Sequence, residues 1–69
     1  MAETVNNTVR TLRTERGVTQ EDLAGAVGVS RQTIIAIEKG SYVPSVLLAL
    51  KLATYFNVSV EDLFSYEAS

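Results

Sequence analysis

The chain has 69 residues, enough for one small domain, and its hydrophobic fraction of 46% is sufficient for a compact core. The lack of both Cys and His excludes disulfides, a zinc finger and Cys- or His-based catalysis, while six basic and eight acidic residues give a net charge of −2. No apolar run approaches the ~18 residues of a membrane span and the N-terminal sequence has no signal-peptide pattern, so we expect a cytoplasmic protein.

A first helix is predicted from about Asn7 to Arg16. Val9 and Leu12 supply its apolar stripe, and Gly17 ends it. Basic residues recur every third position along this helix and therefore share a ridge: Arg10, Arg13 and Arg16. A solvated surface is the simplest interpretation of that ridge.

The stretch from Gln20 to Lys39 predicts two short helices joined by a tight turn. Helical spacing gives each an inner apolar face, made of Leu23, Ala24 and Val27 in the first helix and of Ile34 and Ile37 in the second. Gly28 can adopt a positive φ and end the first helix, and Ser30 can cap the second. This pattern is typical of a DNA-binding helix-turn-helix, whose second helix lies in the major groove.

Two further helices are predicted beyond Gly40. Helix 4 runs from Val46 to about Phe56 with Ser45 as its cap, and Ser59 caps a short fifth helix. The expected core stripe of helix 4 consists of Val46, Ala49, Leu50, Ala53 and Phe56, with Leu47 and Leu48 beside it. We therefore expect one all-α domain of five helices over residues 1–69.

The second helix of the motif, about Arg31 to Lys39, presents a candidate base-reading surface opposite its inner face. Arg31 can donate two hydrogen bonds to guanine, and Gln32 can pair with adenine. Methyl groups of Ile35 and Ala36 can contact a thymine methyl, and Thr33 can reach a base or a phosphate. Taken by themselves, Arg31 and Gln32 would be explained as ordinary solvated side chains at the start of a helix. An Ile outside the core stripe has no such structural explanation.

The sequence resembles the Cro/Xre-type, lambda-repressor-like family of bacterial, archaeal and phage regulators, especially its small single-domain members. The segments that carry the resemblance lie between about Asn7 and Phe64 and read LRTERGVTQEDLA, GVSRQTI, IEKG, PS-x-x-x-ALKLA and VSVEDLF. Leu47 departs from the family, in which a polar or acidic residue is frequent at this position. The resemblance implies a five-helix lambda-repressor-like fold that binds double-stranded DNA without a cofactor or metal.

The resemblance also implies roles for residues around the motif. The residues matching Arg13 and Glu38 form a partly buried ion pair in relatives. The expected DNA-backbone contacts are Thr19, Gln20, Lys39, Ser41, Tyr42 and Ser45. For Tyr42, simple packing over the core is the alternative. Some small relatives pair their termini, so Thr4-Val5 and Ser65-Tyr66 can form a short antiparallel β-ribbon, although the residues alone leave this open.

We expect a transcriptional regulator, a repressor that binds a palindromic operator as a homodimer, because one recognition helix reads only a few base pairs. The candidate dimer interface is Leu47, Leu63, Phe64 and Tyr66. An antitoxin-like protein-interaction module with the same fold is the alternative. An enzyme is not expected, because no catalytic constellation is recognisable. The paired carboxylates Glu61 and Asp62 lie in the first turn of a helix, where acidic residues favour the helix dipole. Neither a small-molecule ligand nor a membrane partner is indicated.

Overall fold

The computed structural model describes residues 3–68, which form five helices and one two-stranded antiparallel sheet. The helices are α1 (Val9–Glu15), α2 (Gln20–Val27), α3 (Arg31–Lys39), α4 (Val46–Phe56) and α5 (Val60–Leu63). The strands are β1 (Glu3–Asn7) and β2 (Phe64–Ala68). The predicted five-helix fold and its terminal ribbon are both confirmed.

Four helices begin at a hydroxyl side chain that caps free backbone N–H groups. The oxygens of Thr19, Ser30, Ser45 and Ser59 each accept a hydrogen bond from the backbone N–H three residues later. At the other ends, Gly28 (φ 76°) follows α2 and Asn57 (φ 58°) follows α4 in the left-handed conformation. These signals are local, which explains why the helix boundaries follow from the sequence.

The core is formed by buried side chains from all five helices. Its buried side chains are Val9, Leu23, Ala24, Val27, Ile34, Ile37, Leu48, Leu52, Ala53, Phe56 and Leu63. The inner faces predicted for both helices of the motif are therefore confirmed. Arg16 covers one edge of this core, with its guanidinium carbon 5.5 Å from the centre of the Phe56 ring.

The core stripe predicted for α4 is confirmed at Ala53 and Phe56, which are 5% and 0% exposed, and is wrong at Val46 and Leu50. Leu48 and Leu52 are buried, whereas Val46 is 77% exposed and Leu50 is 51% exposed. Apolar residues lie on both sides of this helix, so their spacing fits two rotations about the helix axis. Packing against α2 and α5 selects the rotation that buries Leu48 and Leu52.

No helix between residues 3 and 68 is long and apolar enough to cross a membrane.

The ribbon joins the two ends of the described chain. Val5 lies opposite Tyr66, and Asn6 lies opposite Ser65. The Tyr66 hydroxyl donates a hydrogen bond to the Glu3 carboxylate, which raises the pKa of Tyr66 above its ordinary value. Because the strand continues through Asn7, α1 begins at Val9, two residues later than predicted. The Asn7 amide also donates to the carbonyl of Ile37, over 2.9 Å, and so ties the ribbon to α3.

Leu63 was predicted as part of a dimer interface, and that prediction is wrong. Its side chain is only 1% exposed and belongs to the core of the single chain. The backbone of Leu63 is also held in place, because its carbonyl accepts a hydrogen bond from the backbone N–H of Thr8 over 2.9 Å. The neighbouring Phe64 is partly buried against the same core, while Tyr66 is 67% exposed.

Candidate nucleic-acid interface

The rotation of α3 determines which of its side chains face outward. Ile34 and Ile37 are fully buried, so the opposite surface of the helix is available to a ligand. Arg31 and Gln32 are exposed there, at the N-terminal end of α3. Thr33, Ile35 and Ala36 are partly exposed. All five predicted base-reading residues thus lie on the accessible part of α3, and their helix begins at the Ser30 cap.

An ion pair fixes α3 against α1. Nε of Arg13 lies 2.7 Å from one carboxylate oxygen of Glu38, and Nη2 donates to the other over 3.2 Å. The remaining Nη1 donates to the carbonyl of Val18 over 2.9 Å. The two side chains are 12% and 5% exposed. This nearly buried, two-pronged pair therefore sets the position of the C-terminal half of α3.

Gln20 completes this cluster from the first turn of α2. Its amide nitrogen donates to the Glu38 carboxylate over 3.1 Å. Glu38 lies on α3, and its carboxylate therefore accepts hydrogen bonds from both α1 and α2. The second N–H of the Gln20 amide can still donate to a ligand.

A groove of about 800 Å³ runs along α3 between α1 and the start of α2. Its lining includes Arg10, Arg13, Thr19, Gln20, Glu21, Arg31, Ile35, Glu38 and Lys39. Four of the six basic residues of the chain therefore line one groove, together with two of its eight acidic residues. Because Arg13 and Glu38 neutralise each other, the remaining Arg10, Arg31 and Lys39 outnumber Glu21, and the groove is positively charged although the chain is acidic.

The other side of α3 borders a smaller depression of about 320 Å³. Thr33 lines it together with Tyr42 and Ser45, two of the predicted DNA-backbone contacts, and with Leu47, a predicted dimer-interface residue. The Ser45 hydroxyl accepts from the backbone N–H of Leu48, and the Ser41 hydroxyl donates to the Ala36 carbonyl. The predicted contact residues thus flank α3 on both sides.

Arg10 is a groove residue that the sequence interpretation missed. It had been interpreted as part of a solvated ridge on α1. Its spacing of three residues from Arg13 was the available signal, because it places both arginines on the side of α1 that faces α3. Arg10 is exposed and lines the same groove as Arg31 and Lys39.

Comparison with known proteins identifies similar chains. The family model described as Helix-turn-helix matches residues 9–63. An uncharacterised HTH-type transcriptional regulator from Methanocaldococcus jannaschii is 56% identical over 63 residues, which cover 91% of this chain and 96% of the relative. The transcriptional repressor RstR of the cryptic phage CTXphi, from Vibrio cholerae, is 39% identical over 57 residues, which cover 83% of this chain and 51% of RstR.

A solved structure with the same fold is that of the restriction-modification controller protein C.AhdI from Aeromonas hydrophila. It superposes with a TM-score of 0.73 at 35% identity. The match covers 78% of this chain and 82% of that protein.

Proposed function

The chain belongs to the helix-turn-helix family of DNA-binding transcriptional regulators, and from that premise we propose that it is a repressor that binds a palindromic operator as a homodimer. The observation that supports this most directly is the groove beside α3. It concentrates four of the six basic residues next to the exposed face of one helix. Such a local positive field attracts phosphates even when the net charge is −2.

In the proposed complex, α3 lies in the major groove and its outward side chains read bases. Arg31 donates two hydrogen bonds to a guanine, and Gln32 pairs with an adenine. Ile35 and Ala36 contact thymine methyl groups, and Thr33 contacts a base or the nearest phosphate.

The flanking residues hold the sugar-phosphate backbone and so set the register of α3. On the groove side these are Thr19, Gln20 and Lys39, to which we add Arg10. On the other side they are Ser41, Tyr42 and Ser45, beside the N-terminus of α4. Glu38 and Arg13 do not contact DNA in this proposal. They hold α3 and the Gln20 amide in place.

Two copies are proposed because one recognition helix specifies too few base pairs. A homodimer with its recognition helices about 34 Å apart reads a palindrome on one face of the duplex. If that operator overlaps a promoter, the bound dimer represses transcription. The repressor role is supported by the similarity to RstR, which is named a repressor. We propose that the protein acts in the cytoplasm, where prokaryotic DNA is accessible.

The test is selection of bound sequences from a pool of random duplexes, followed by affinity measurements at several salt concentrations. We expect a symmetric consensus and a specific affinity at least about 1,000-fold above that for random duplex. The duplex upstream of the protein's own gene is the first natural candidate to compare with this consensus. Equally weak binding to every duplex would contradict the proposal.

An antitoxin-like protein-interaction module remains the second candidate, favoured by the exposed aliphatic residues of α4. Such a module would hold a second, different protein on that surface. Purification of the protein from its source organism would distinguish the candidates, because only the module is recovered with a stoichiometric foreign partner.

A further inference from the structure

The outward side of α4 carries aliphatic side chains that the folded chain leaves exposed. On α4 itself Val46 is 77% exposed, Leu47 64% and Leu50 51%, and Val43 in the preceding loop is 60% exposed. We call these four residues the α4 apolar face. The opposite side of the same helix is buried in the core through Leu48 and Leu52, and Lys51 is the one charged residue in its sequence. A helix that is apolar on both sides is typical of one that is covered on both sides.

We propose that a second copy of this chain covers the α4 apolar face, so that the homodimer forms through α4 and not through the terminal ribbon. The inference rests on the proposed function, since a palindromic operator needs two copies. In a two-fold symmetric dimer both copies use the same surface patch, so the α4 apolar face of one copy contacts the α4 apolar face of the other. The four side chains themselves carry no charge and can meet their own copies, while Lys51 lies at their edge beside Leu47 and Leu50.

The distribution of charge disfavours the ribbon end as the contact. Four exposed carboxylates cluster there, namely Glu3 and Glu67 on the ribbon and Glu61 and Asp62 on α5. The basic residues are elsewhere, with four in the groove and the others on α4 and beside Phe56. Two copies joined through the ribbon end would therefore bring like charges together.

The α4 apolar face also borders the proposed DNA-reading surface. Leu47 lines the same depression as Thr33 of α3 and Ser45, the cap of α4. A contact made through Leu47 therefore lies beside the recognition helix of each copy. Two copies joined there can present both recognition helices to one duplex.

The size of the face predicts a weak dimer. Four aliphatic side chains, each already partly covered, provide less area than the roughly 800 Å² per partner of a standard stable interface. We therefore expect a reversible dimer in solution that becomes the dominant species on a palindromic duplex, where both copies are held together.

The test combines sedimentation of the protein alone, from low micromolar to near-millimolar concentration, with the copy number on the selected duplex. Leu47→Glu is the main variant, because it buries a carboxylate in each half of the contact. We expect its dimer dissociation constant to rise at least about tenfold, with loss of the two-copy complex. Thr11→Glu adds the same charge on exposed α1 and should change neither quantity. Circular dichroism and thermal unfolding check that each variant is folded.

Tyr66→Ala tests the ribbon as the rival contact. A dimer that is lost in Tyr66→Ala but kept in Leu47→Glu would overturn the proposal. It would also be overturned by a single copy on the selected duplex, or by a two-copy complex unaffected by Leu47→Glu. Failure to select any duplex would contradict the proposed function instead. In that case, self-association that is sensitive to Leu47→Glu would still support the α4 contact.

Discussion

Glu38 connects three segments of the chain through one carboxylate. It accepts hydrogen bonds from Arg13 on α1 and from Gln20 on α2, and it belongs to α3. Since Arg13 also donates to the carbonyl of Val18, the pair fixes the loop that precedes α2. A buried pair of this kind fixes geometry more than it adds stability, but removal of one partner leaves an unpaired charge.

Glu38→Gln should therefore destabilise the fold by about 3 kcal/mol, because Arg13 would stay nearly buried without a counter-ion. Urea unfolding measures this difference. Glu15→Gln is the matched control, since Glu15 is exposed on α1 and should change the unfolding free energy by less than about 0.5 kcal/mol. Equal stability of the two variants would show that Arg13 finds another partner or water.

Arg31 is the residue whose removal should change sequence preference. Arg31→Ala should weaken binding to the selected duplex by about 1–3 kcal/mol and relax the preference at one base pair. Repeated selection with the variant reports both effects. An equal loss on random and selected duplexes would assign Arg31 to a phosphate instead of a base.

At the scale of elements, α4 decides how the core is filled. Its buried side includes Leu48, while Leu50 lies on the α4 apolar face. Leu48→Ala should destabilise the chain by about 2–5 kcal/mol, because it opens a cavity in the core. Leu50→Ala should change the unfolding free energy by less than about 1 kcal/mol at concentrations where the protein is monomeric. Chemical unfolding of both variants measures the contrast, and a larger effect for Leu50 would restore the rotation first predicted.

The elements differ in how far the sequence determines them. Caps such as Ser30 and the turn at Gly28 depend on neighbouring backbone groups, so they could be predicted. The rotation of α4 could not, because both of its sides are apolar and only tertiary packing separates them. Leu63 was misjudged for a related reason. Its apolar character gives no information on whether a core or a partner surrounds it.

The place of Arg10 in the groove could be predicted only in part. Helical spacing gives its side of α1, but the approach of α1 to α3 depends on contacts between distant residues, including those of Arg13 with Glu38. The residues alone did not decide whether the ribbon forms, because its strands are far apart in the chain. Only the resemblance suggested their pairing.

At the scale of the whole molecule, the basic groove and four of the eight acidic residues lie on different elements. The α3 groove is basic, whereas the ribbon and α5 carry Glu3, Glu67, Glu61 and Asp62. An acidic chain with this distribution is attracted to DNA through its groove and repelled where the ribbon and α5 face the duplex. Non-specific binding should consequently be weak, and approach to the duplex should be oriented.

This separation predicts unequal effects for two exposed basic residues. Arg10→Ala removes a charge inside the groove and should reduce the salt dependence of binding by about one phosphate contact. It should weaken selected and random duplexes alike. Arg16→Ala removes an exposed charge beside Phe56, outside both the groove and the smaller depression, and should leave the slope unchanged. Titrations at several salt concentrations compare the two, and identical slopes would mean that only net charge matters.

The ribbon has a consequence for the order in which the chain acquires its structure. Its strands are joined by residues as distant as Asn6 and Glu67, whose side chains are hydrogen-bonded although 61 positions separate them. During synthesis β1 leaves the ribosome first and has no partner until the last residues follow, and closing so long a loop is unfavourable before the helices have packed. We expect amide protection in a refolding pulse-labelling experiment to appear in α2 and α3 before β1 and β2. The helix-turn-helix would then form during refolding while the two strands are still apart.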